Sequence, residues 1–391
     1  MPGAVEMGEL VEELLKFTLT SSIDGTLDFD LGLSKDYCSN LLTEDPLHSD
    51  TDYAPVGHVE GIPQYPLYKH LASALSQSIN AGAICIKHDK KMESIQEINS
   101  FKQEEEEEEW YNLILDKGSE LRSILQSVEV EFHVQEPFFS MLKDGVKTVE
   151  GRCAVGKYSR ISSGASILFN KCLVLCVQDV HWYASFSEML KAESLAKVLP
   201  GVKTVEEGVQ IYWKFYTEEQ ERSKGVLAIS VAKPAAQPYF ALASILSCLG
   251  YKGIQRLLGC AHTVGTNPTA LPPSRSTLLS SFGLPHNPNV KSSTLTTGAR
   301  ALAKHINRCS SIYWGTFVGS DSNKNEIALN VINRLVDHCC WLNLHIVPPH
   351  GDVFEIRVAE GYGARWSSDG TKFIGFLEPY MEDGHSKRWK H

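Results

Sequence analysis

The chain has 391 residues, 43% of them hydrophobic, and a formal net charge of -10. That length suits two or three domains, because a single core stops growing near about 250 to 300 residues, and that composition excludes a wholly disordered chain. The first 130 residues carry 25 Asp and Glu against 9 Lys and Arg while the rest is mildly basic, which excludes strong nonspecific nucleic-acid binding by the whole molecule but leaves an anionic partner open to the last two thirds.

Residues 9–17 set Leu10, Val11, Leu14 and Leu15 on one helical face. Residues 65–79 repeat Leu67, Leu71, Leu75 and Ile79 at four-residue spacing, a second helix. Val11-Glu12-Glu13-Leu14-Leu15 falls one residue short of a coactivator L-x-x-L-L helix, but a helix facing its own core is the favoured reading. The polar stretches at about 43–64 and 87–108 predict disordered loops, and the six glutamates 104–109 repel one another as a solvated linker or the outer end of a helix. A helix is expected over about 106–127.

The period then falls to two. Val128, Val130, Phe132 and Val134 alternate with Glu129, Glu131 and His133, a half-buried strand. Pro137 opens a short helix over 138–143 that Gly145 ends. Strands follow at 147–153, 166–169 and 172–182, then helices at 185–193 and 204–216, the latter behind a Thr204-x-x-Glu207 capping box. A last strand covers 226–231, and this order makes a mixed barrel rather than a parallel sheet. Residues 261–294, with five prolines, read as a linker or long surface loop. Beyond them, helices are expected at 296–309 and 322–340, the second capped by Ser320 or Asp321. Strands are expected at 341–347, 353–359 and 372–377. The fold class is α+β in four segments: an acidic helical segment 1–127, the barrel 128–235, a helix with a Pro/Ser-rich linker 236–294, and a small α+β unit 295–391.

The sequence opens with no basic-then-apolar leader, and its longest apolar stretch, 239–251, is shorter than the roughly 20 residues of a membrane-spanning helix. A soluble intracellular protein of nucleus or cytoplasm, without membrane contact, is expected. Ten cysteines lie scattered with no C-x-x-C pair, which predicts free thiols in a reducing compartment, no metal site and no cofactor.

The string Gly145-Val146-Lys147-Thr148-Val149-Glu150-Gly151-Arg152 is similar to the G-x-K-x-x-E-x-R signature of the ASCH (activating signal cointegrator homology) family. The frame continues through 164–169, Leu199-Pro200-Gly201, the Thr204-capped helix, Tyr212, Tyr216 and the 225–231 strand. The resemblance covers residues 131–233, and with its flanks the chain looks like the plant-type RNA-binding ASCH-domain proteins. It implies a PUA-like barrel with a cleft facing the signature, an RNA partner that is single-stranded or structured, DNA also open, and a regulatory role. By that resemblance Lys147, Glu150 and Arg152 line the cleft. Lys147 and Arg152 would donate to phosphate, and Glu150 would accept from a base amine or hold Arg152. Tyr158, flanked by Lys157 and Arg160, is the first choice for stacking a base, ahead of Trp182, Tyr183 and Tyr212. Trp182, Tyr212 and Tyr216 also fit a barrel core, and His133 and His181 fit structural roles.

Some small bacterial members of the family are amidases acting on N4-acetylcytidine through a lysine, a threonine and a glutamate. Lys147 matches that lysine, but Glu150 stands where the threonine is expected and Thr148 follows Lys147 directly. Glu193, Glu206 and Glu207 are candidates for the acid. A hydroxyl activated by a low-pKa lysine is sound chemistry, yet the carboxylate at 150 ranks a nucleoside amidohydrolase behind a binding module. A third reading makes 1–127 the docking segment of a protein-interaction scaffold.

The C-terminal segment gathers His305, Arg308, Lys324 and Asn325 on its helices and His345, His350, Glu360, Arg365, Asp369 and Glu378 beyond them. A structural role is favoured there. The glycine-flanked stretch 360–366 could bring backbone close to a ligand, and Glu382-Asp383-Gly384-His385 is metal-like but too short to close a site alone.

Overall fold

A computed structural model of the chain describes residues 4–45, 61–82, 100–289, 294–306 and 312–379. The molecule is α+β and divides into two compact units, one of Met1–Thr18 with Asp116–Ser244 and one of Leu19–Leu115 with Ile245–His391.

Helices α1 (Ala4–Asp24), α2 (Lys35–Leu42), α3 (Leu67–Ala81) and α4 (Ser100–Gln126) come first. Val11, Leu14 and Leu15 of α1 are buried, so the L-x-x-L-L-like face is core and offers nothing to a partner. The four-residue stripe of α3 is likewise buried. Helix α4 begins earlier than its apolar period suggests and takes in all six glutamates. Glu106 pairs with Lys252 and Glu107 with Arg256, which relieves part of the self-repulsion that made 100–108 read as a disordered loop. The remainder of that expected loop, and residues 46–60 of the other, lie outside the described residues.

Next come β1 (Val128–Phe132), α5 (Phe138–Lys143), β2 (Val149–Cys153), β3 (Ser166–Phe169), β4 (Leu173–Tyr183), α6 (Phe186–Ala192), α7 (Leu195–Val198), α8 (Val205–Tyr212), α9 (Glu218–Lys224) and β5 (Val226–Ala232). The strand order is β1-β3-β4-β5-β2, with β1 parallel to β3 and the other pairs antiparallel. The sheet is mixed as expected, but the expected barrel closure is not there: among the described residues no ladder joins the outer strands β1 and β2. A side chain spans that seam instead, Arg152 Nη2 donating to the His133 carbonyl at 2.7 Å. Phe186, Met189, Leu190, Val209 and Tyr212 pack on Val149, Cys153, Val226 and Ala228 to form the core here. Thr204 caps α8 by accepting from the Glu207 amide, while the Glu207 carboxylate reaches the Lys203 amide rather than closing the expected box. The full capping box is at α9, between Thr217 and Gln220.

The last elements are α10 (Pro238–Leu257), α11 (Arg275–Gly283), α12 (Thr297–Ile306), α13 (Asp321–His338), β6 (Trp341–Val347), β7 (Gly351–Arg357), β8 (Gly363–Ser367) and β9 (Phe373–Leu377). Strands β6 to β9 form an antiparallel meander. Ser320 caps α13. The stretch read as a linker holds α11, whose Leu278 and Phe282 are buried, and its start follows the β6 edge, Ala261 N donating to Leu342 O and Ile346 N to Gly265 O. Two apolar residues four apart amid prolines and serines are too weak a period to show this in sequence. Likewise 363–367 is a strand, not a ligand-approaching loop. Gly363 is needed there because a Cβ would lie 2.0 Å from the Ile356 carbonyl oxygen.

Cys38, Cys153, Cys172, Cys260 and Cys339 are buried free thiols. Among the described residues no helix is long and apolar enough to cross a membrane. Residues 290–293, Arg308 and the Glu382-Asp383-Gly384-His385 stretch lie outside the described residues.

Candidate functional site

Glu150 and Arg152 are two apart on β2 and so project to the same side of it. Beside them, at the open seam, lies a cavity of about 480 Å³ walled by Phe138, Glu150, Arg152, Tyr212, Phe215 and Tyr216 among others. Its walls come from the segment after β1, from β2 and from the end of α8. The volume lies in the range of small-ligand pockets, about 300–1,000 Å³.

The floor is an ion triad. Lys147 is 2% exposed. Its Nζ donates to the Val149 carbonyl at 2.8 Å and to the Val198 carbonyl, and lies 3.0 Å from Glu150 Oε2. Three acceptors need three N–H donors, which only the ammonium form carries. The amine is therefore charged although burial lowers its pKa, an effect the Glu150 carboxylate opposes. Burial pushes Glu150 the other way, up, but Lys147 and Arg152 overcome this and hold it below the usual carboxylate range. Arg152 Nε is 2.9 Å from Glu150 Oε1, at ion-pair distance but not aligned as a hydrogen bond. The guanidinium carbon sits 4.7 Å from the centroid of the Phe132 ring.

Tyr212 stacks on Phe186 with centroids 4.2 Å apart. Its hydroxyl is buried and makes no well-aligned hydrogen bond among the described residues, although the Gly151 backbone beside it acts to lower its pKa. It passes over Gly151, where an added Cβ would lie 2.5 Å from that oxygen. Burial raises the phenol well above its ordinary pKa, so it stays neutral and can donate or accept. The cavity therefore offers a triad of two cations around one carboxylate, one hydroxyl without a well-aligned hydrogen bond among the described residues, and aromatic walls.

Several expectations change on this geometry. Lys147 has spent its three donors on the protein and cannot grip phosphate. Tyr158 is half-buried, edge-on to Phe132 at 5.1 Å, and neither it nor the exposed Arg160 lines the cavity. The Lys157 side chain lies outside what is described. Thr148 is not in the lining either. Glu193 is taken by His181 and Tyr183 at 2.6 and 2.7 Å, and Glu206 and Glu207 are exposed at the start of α8. Of the amidase candidates, Lys147 and Glu150 line the cavity, while Thr148, Glu193, Glu206 and Glu207 do not. Trp182 is 61% exposed and lies flat over Gly225, its N–H bonded to the Lys224 carbonyl. The sequence reading missed Phe138, Lys214 and Phe215. Phe215 falls inside the helix expected over 204–216, whereas α8 ends at Tyr212 and leaves it 54% exposed.

The C-terminal sheet holds a second constellation. Its β6–β8 register sets Asn343, Glu355 and Arg365 side by side, with Trp341 beside Arg357 and His345 beside Val353. This polar face is opposite the one carrying Leu344, Phe354, Ile356, Ala364 and Trp366, all buried. Glu355 Oε1 accepts from Arg357 Nε at 2.7 Å, and Oε2 from Arg365 Nη2 at 2.6 Å and Nε at 2.9 Å. His345 Nε2 lies 3.3 Å from Oε2. Burial would raise the Glu355 pKa, but His345, Arg357 and Arg365 hold it at about 2. His305 and Glu378 also meet, at 2.9 Å, with the Trp314 indole N–H on the same carboxylate oxygen. Asn325 instead binds the 294–296 segment, and Asp369 closes its own turn. Glu355 and Arg357 are charges two apart in an otherwise apolar strand, and that pattern is their signal in the sequence. Among the described residues no cluster of His, Cys, Asp and Glu could hold a metal ion.

The ASCH domain model matches residues 132–235, and the model described as the CdiA C-terminal tRNase toxin domain matches residues 285–378. No curated protein matches the chain. Among solved structures, the crystal structure of the hypothetical protein PH0355 is 40% identical over 27% of this chain and 98% of its own, with a TM-score of 0.26. A Pyrococcus furiosus protein solved by NMR in solution is 42% identical over 27% of this chain and 96% of its own, with a TM-score of 0.25.

Proposed function

The chain belongs to the ASCH-domain family, residues 132–235 carrying the domain, and from that premise we propose that it binds RNA by taking one unpaired base into the cavity beside β2. The observation that carries this reading is the buried Tyr212 hydroxyl, without a well-aligned hydrogen bond among the described residues, in a cavity of about 480 Å³ beside the Glu150–Arg152 pair. A base would stack against the aromatic walls and meet the phenol with its polar edge, as single-stranded RNA sites require. Lys214, at the mouth, supplies charge to the backbone. The test is anisotropy of the full chain with a single-stranded RNA and with its duplex, across a salt series. Binding should favour the single strand and fall with salt, with a log–log slope of about -0.7 per phosphate contacted. Phe215→Ala, at a position 54% exposed, should weaken it by about 1–3 kcal/mol. Equal affinity for strand and duplex, together with an unaffected Phe215→Ala, would sink the reading.

A second reading is favoured by the match of residues 285–378 to a model described as a tRNase toxin domain. In it the C-terminal unit cleaves RNA. Incubating the full chain with transfer RNA and looking for fragments tests it directly.

A further inference from the structure

We infer that the polar face of the C-terminal sheet is an RNA-cleaving site in which His345 moves the proton and Arg357 and Arg365, tethered by Glu355, carry the phosphate. This rests on the second reading above and gives it residues and a reaction. Three side chains with positive or proton-bearing heads converge on one carboxylate from three adjacent strands. The fold spends a buried glutamate to hold them, with 3% of that side chain exposed. A glutamate placed only to neutralise one arginine would not need a second and a histidine. The surplus of positive charge over the single carboxylate marks a place for an anion.

The geometry assigns the parts. Arg365 engages Glu355 through Nε and Nη2, and Arg357 through Nε while its Nη1 donates to the Gly361 and Glu378 carbonyls. Both forks are therefore fixed in direction, as a site that must meet phosphate oxygens requires. His345 turns Nε2 to the carboxylate, which leaves Nδ1 as the nitrogen for proton transfer. His345, Arg357 and Arg365 each keep 12–16% of their side chains exposed, so the site is recessed but reachable. Both Glu355 oxygens are occupied by cations, and that surrounding charge repels a divalent metal.

The step that fits is transesterification. Nδ1 of His345 takes the proton of a ribose 2′-hydroxyl as that oxygen attacks the neighbouring phosphorus. The O2′–P bond forms, the P–O5′ bond breaks with its electron pair leaving on O5′, and the proton passes to O5′. The products are a 2′,3′-cyclic phosphate and a 5′-hydroxyl, and no water or other co-reactant is consumed. Arg357 and Arg365 meet the charge that builds on the phosphate oxygens. His345, Arg357 and Arg365 are the catalytic residues, and Glu355 is a positioning residue. DNA, lacking the 2′-hydroxyl, cannot enter this reaction.

The experiment uses the full chain with end-labelled transfer RNA in excess EDTA, beside a DNA of matching length, with end groups read on the fragments. The wild type should cleave RNA to 2′,3′-cyclic ends and leave DNA intact. His345→Asn should lower the rate about 100-fold or more, with a thermal melt like that of the wild type. Arg365→Lys, which keeps the charge but loses the fork, should also slow cleavage and so tests the site even if His345→Asn does not fold. Glu355→Gln should lower kcat while KM stays level or falls, because the two arginines lose their counter-charge but keep the phosphate; a merely structural glutamate would give no such split. If the wild type cleaves and folded His345→Asn and Arg365→Lys cleave equally fast, the site is wrong while the nuclease reading stands. If the wild type cleaves no RNA, both fall. DNA cleavage or 3′-hydroxyl ends would overturn the mechanism.

Discussion

Both units bury a glutamate between two cations, and they differ in what the cations hold besides it. Around Glu150 one partner is Lys147, whose remaining donors go to the Val149 and Val198 carbonyls, so that triad is stitched into the backbone. Around Glu355 the partners are Arg357 on the same strand, which also reaches the Gly361 and Glu378 carbonyls, and His345 and Arg365 on the two neighbouring strands, tied to it side chain to side chain. The same order of charges thus serves as a floor under a cavity in one place and as a set of aimed heads in the other. The lesson is that a charged residue of a signature can be committed wholly to the protein's own groups.

The largest expected effect breaks the first triad. Lys147→Met leaves Glu150 buried with one cation fewer and should cost about 3–5 kcal/mol, read as a drop in the urea midpoint. A loss under about 1 kcal/mol would show that the lysine is not structural. Next comes acid. The Glu355 pKa is depressed from 4.5 to about 2, so its contribution is complete above 4.5 and disappears as pH falls through 2. That contribution amounts to about 3 kcal/mol. The wild-type advantage over Glu355→Gln should shrink across that window in denaturant titrations, and an advantage that stays constant with pH would refute the assignment. Gly151→Ala should cost about 1–3 kcal/mol by pressing a methyl group on the Tyr212 hydroxyl and the Met189 methyl. It should also disturb the cavity, whereas a silent substitution there would mean Tyr212 moves freely. The smallest effect calibrates the others: Thr217→Ala and Ser320→Ala each remove one helix cap, far from either glutamate in sequence, and should cost about 1 kcal/mol by the same titration.

Much of the fold was legible because periodicity survives in the sequence wherever one face is buried. The alternation around Val130 and Phe132, the stripe of α3 and the short α5 between Pro137 and Gly145 all lie where the residues implied. Barrel closure was not legible, because it depends on whether two distant outer strands meet, and no local pattern carries that. Helix α11 hid behind its prolines and serines. At the cavity the motif indicated Glu150 and Arg152, but the burial of Lys147 depends on carbonyls from Val149 and Val198, and the second of these is 51 residues away. Phe138 and Phe215 reach the cavity from segments on either side of the motif, which spacing alone does not reveal. In the C-terminal sheet the sequence shows His345 and Arg365 only as separate residues. What joins them is Glu355, visible as a partner only once the register of three strands is known.

The order β1-β3-β4-β5-β2 also has a consequence in time. Strand β2 carries the motif, yet its partner in the sheet is β5, whose first residue is 73 positions later. During synthesis at roughly 5–20 residues per second, β2 waits roughly 4 to 15 s for the strand that will hold it. Its long-range pairing makes closure of this sheet a late and comparatively slow event. In a growing chain, Glu150 therefore stays in water until the last strand arrives, and a ribosome stalled before residue 226 would display the motif without the site.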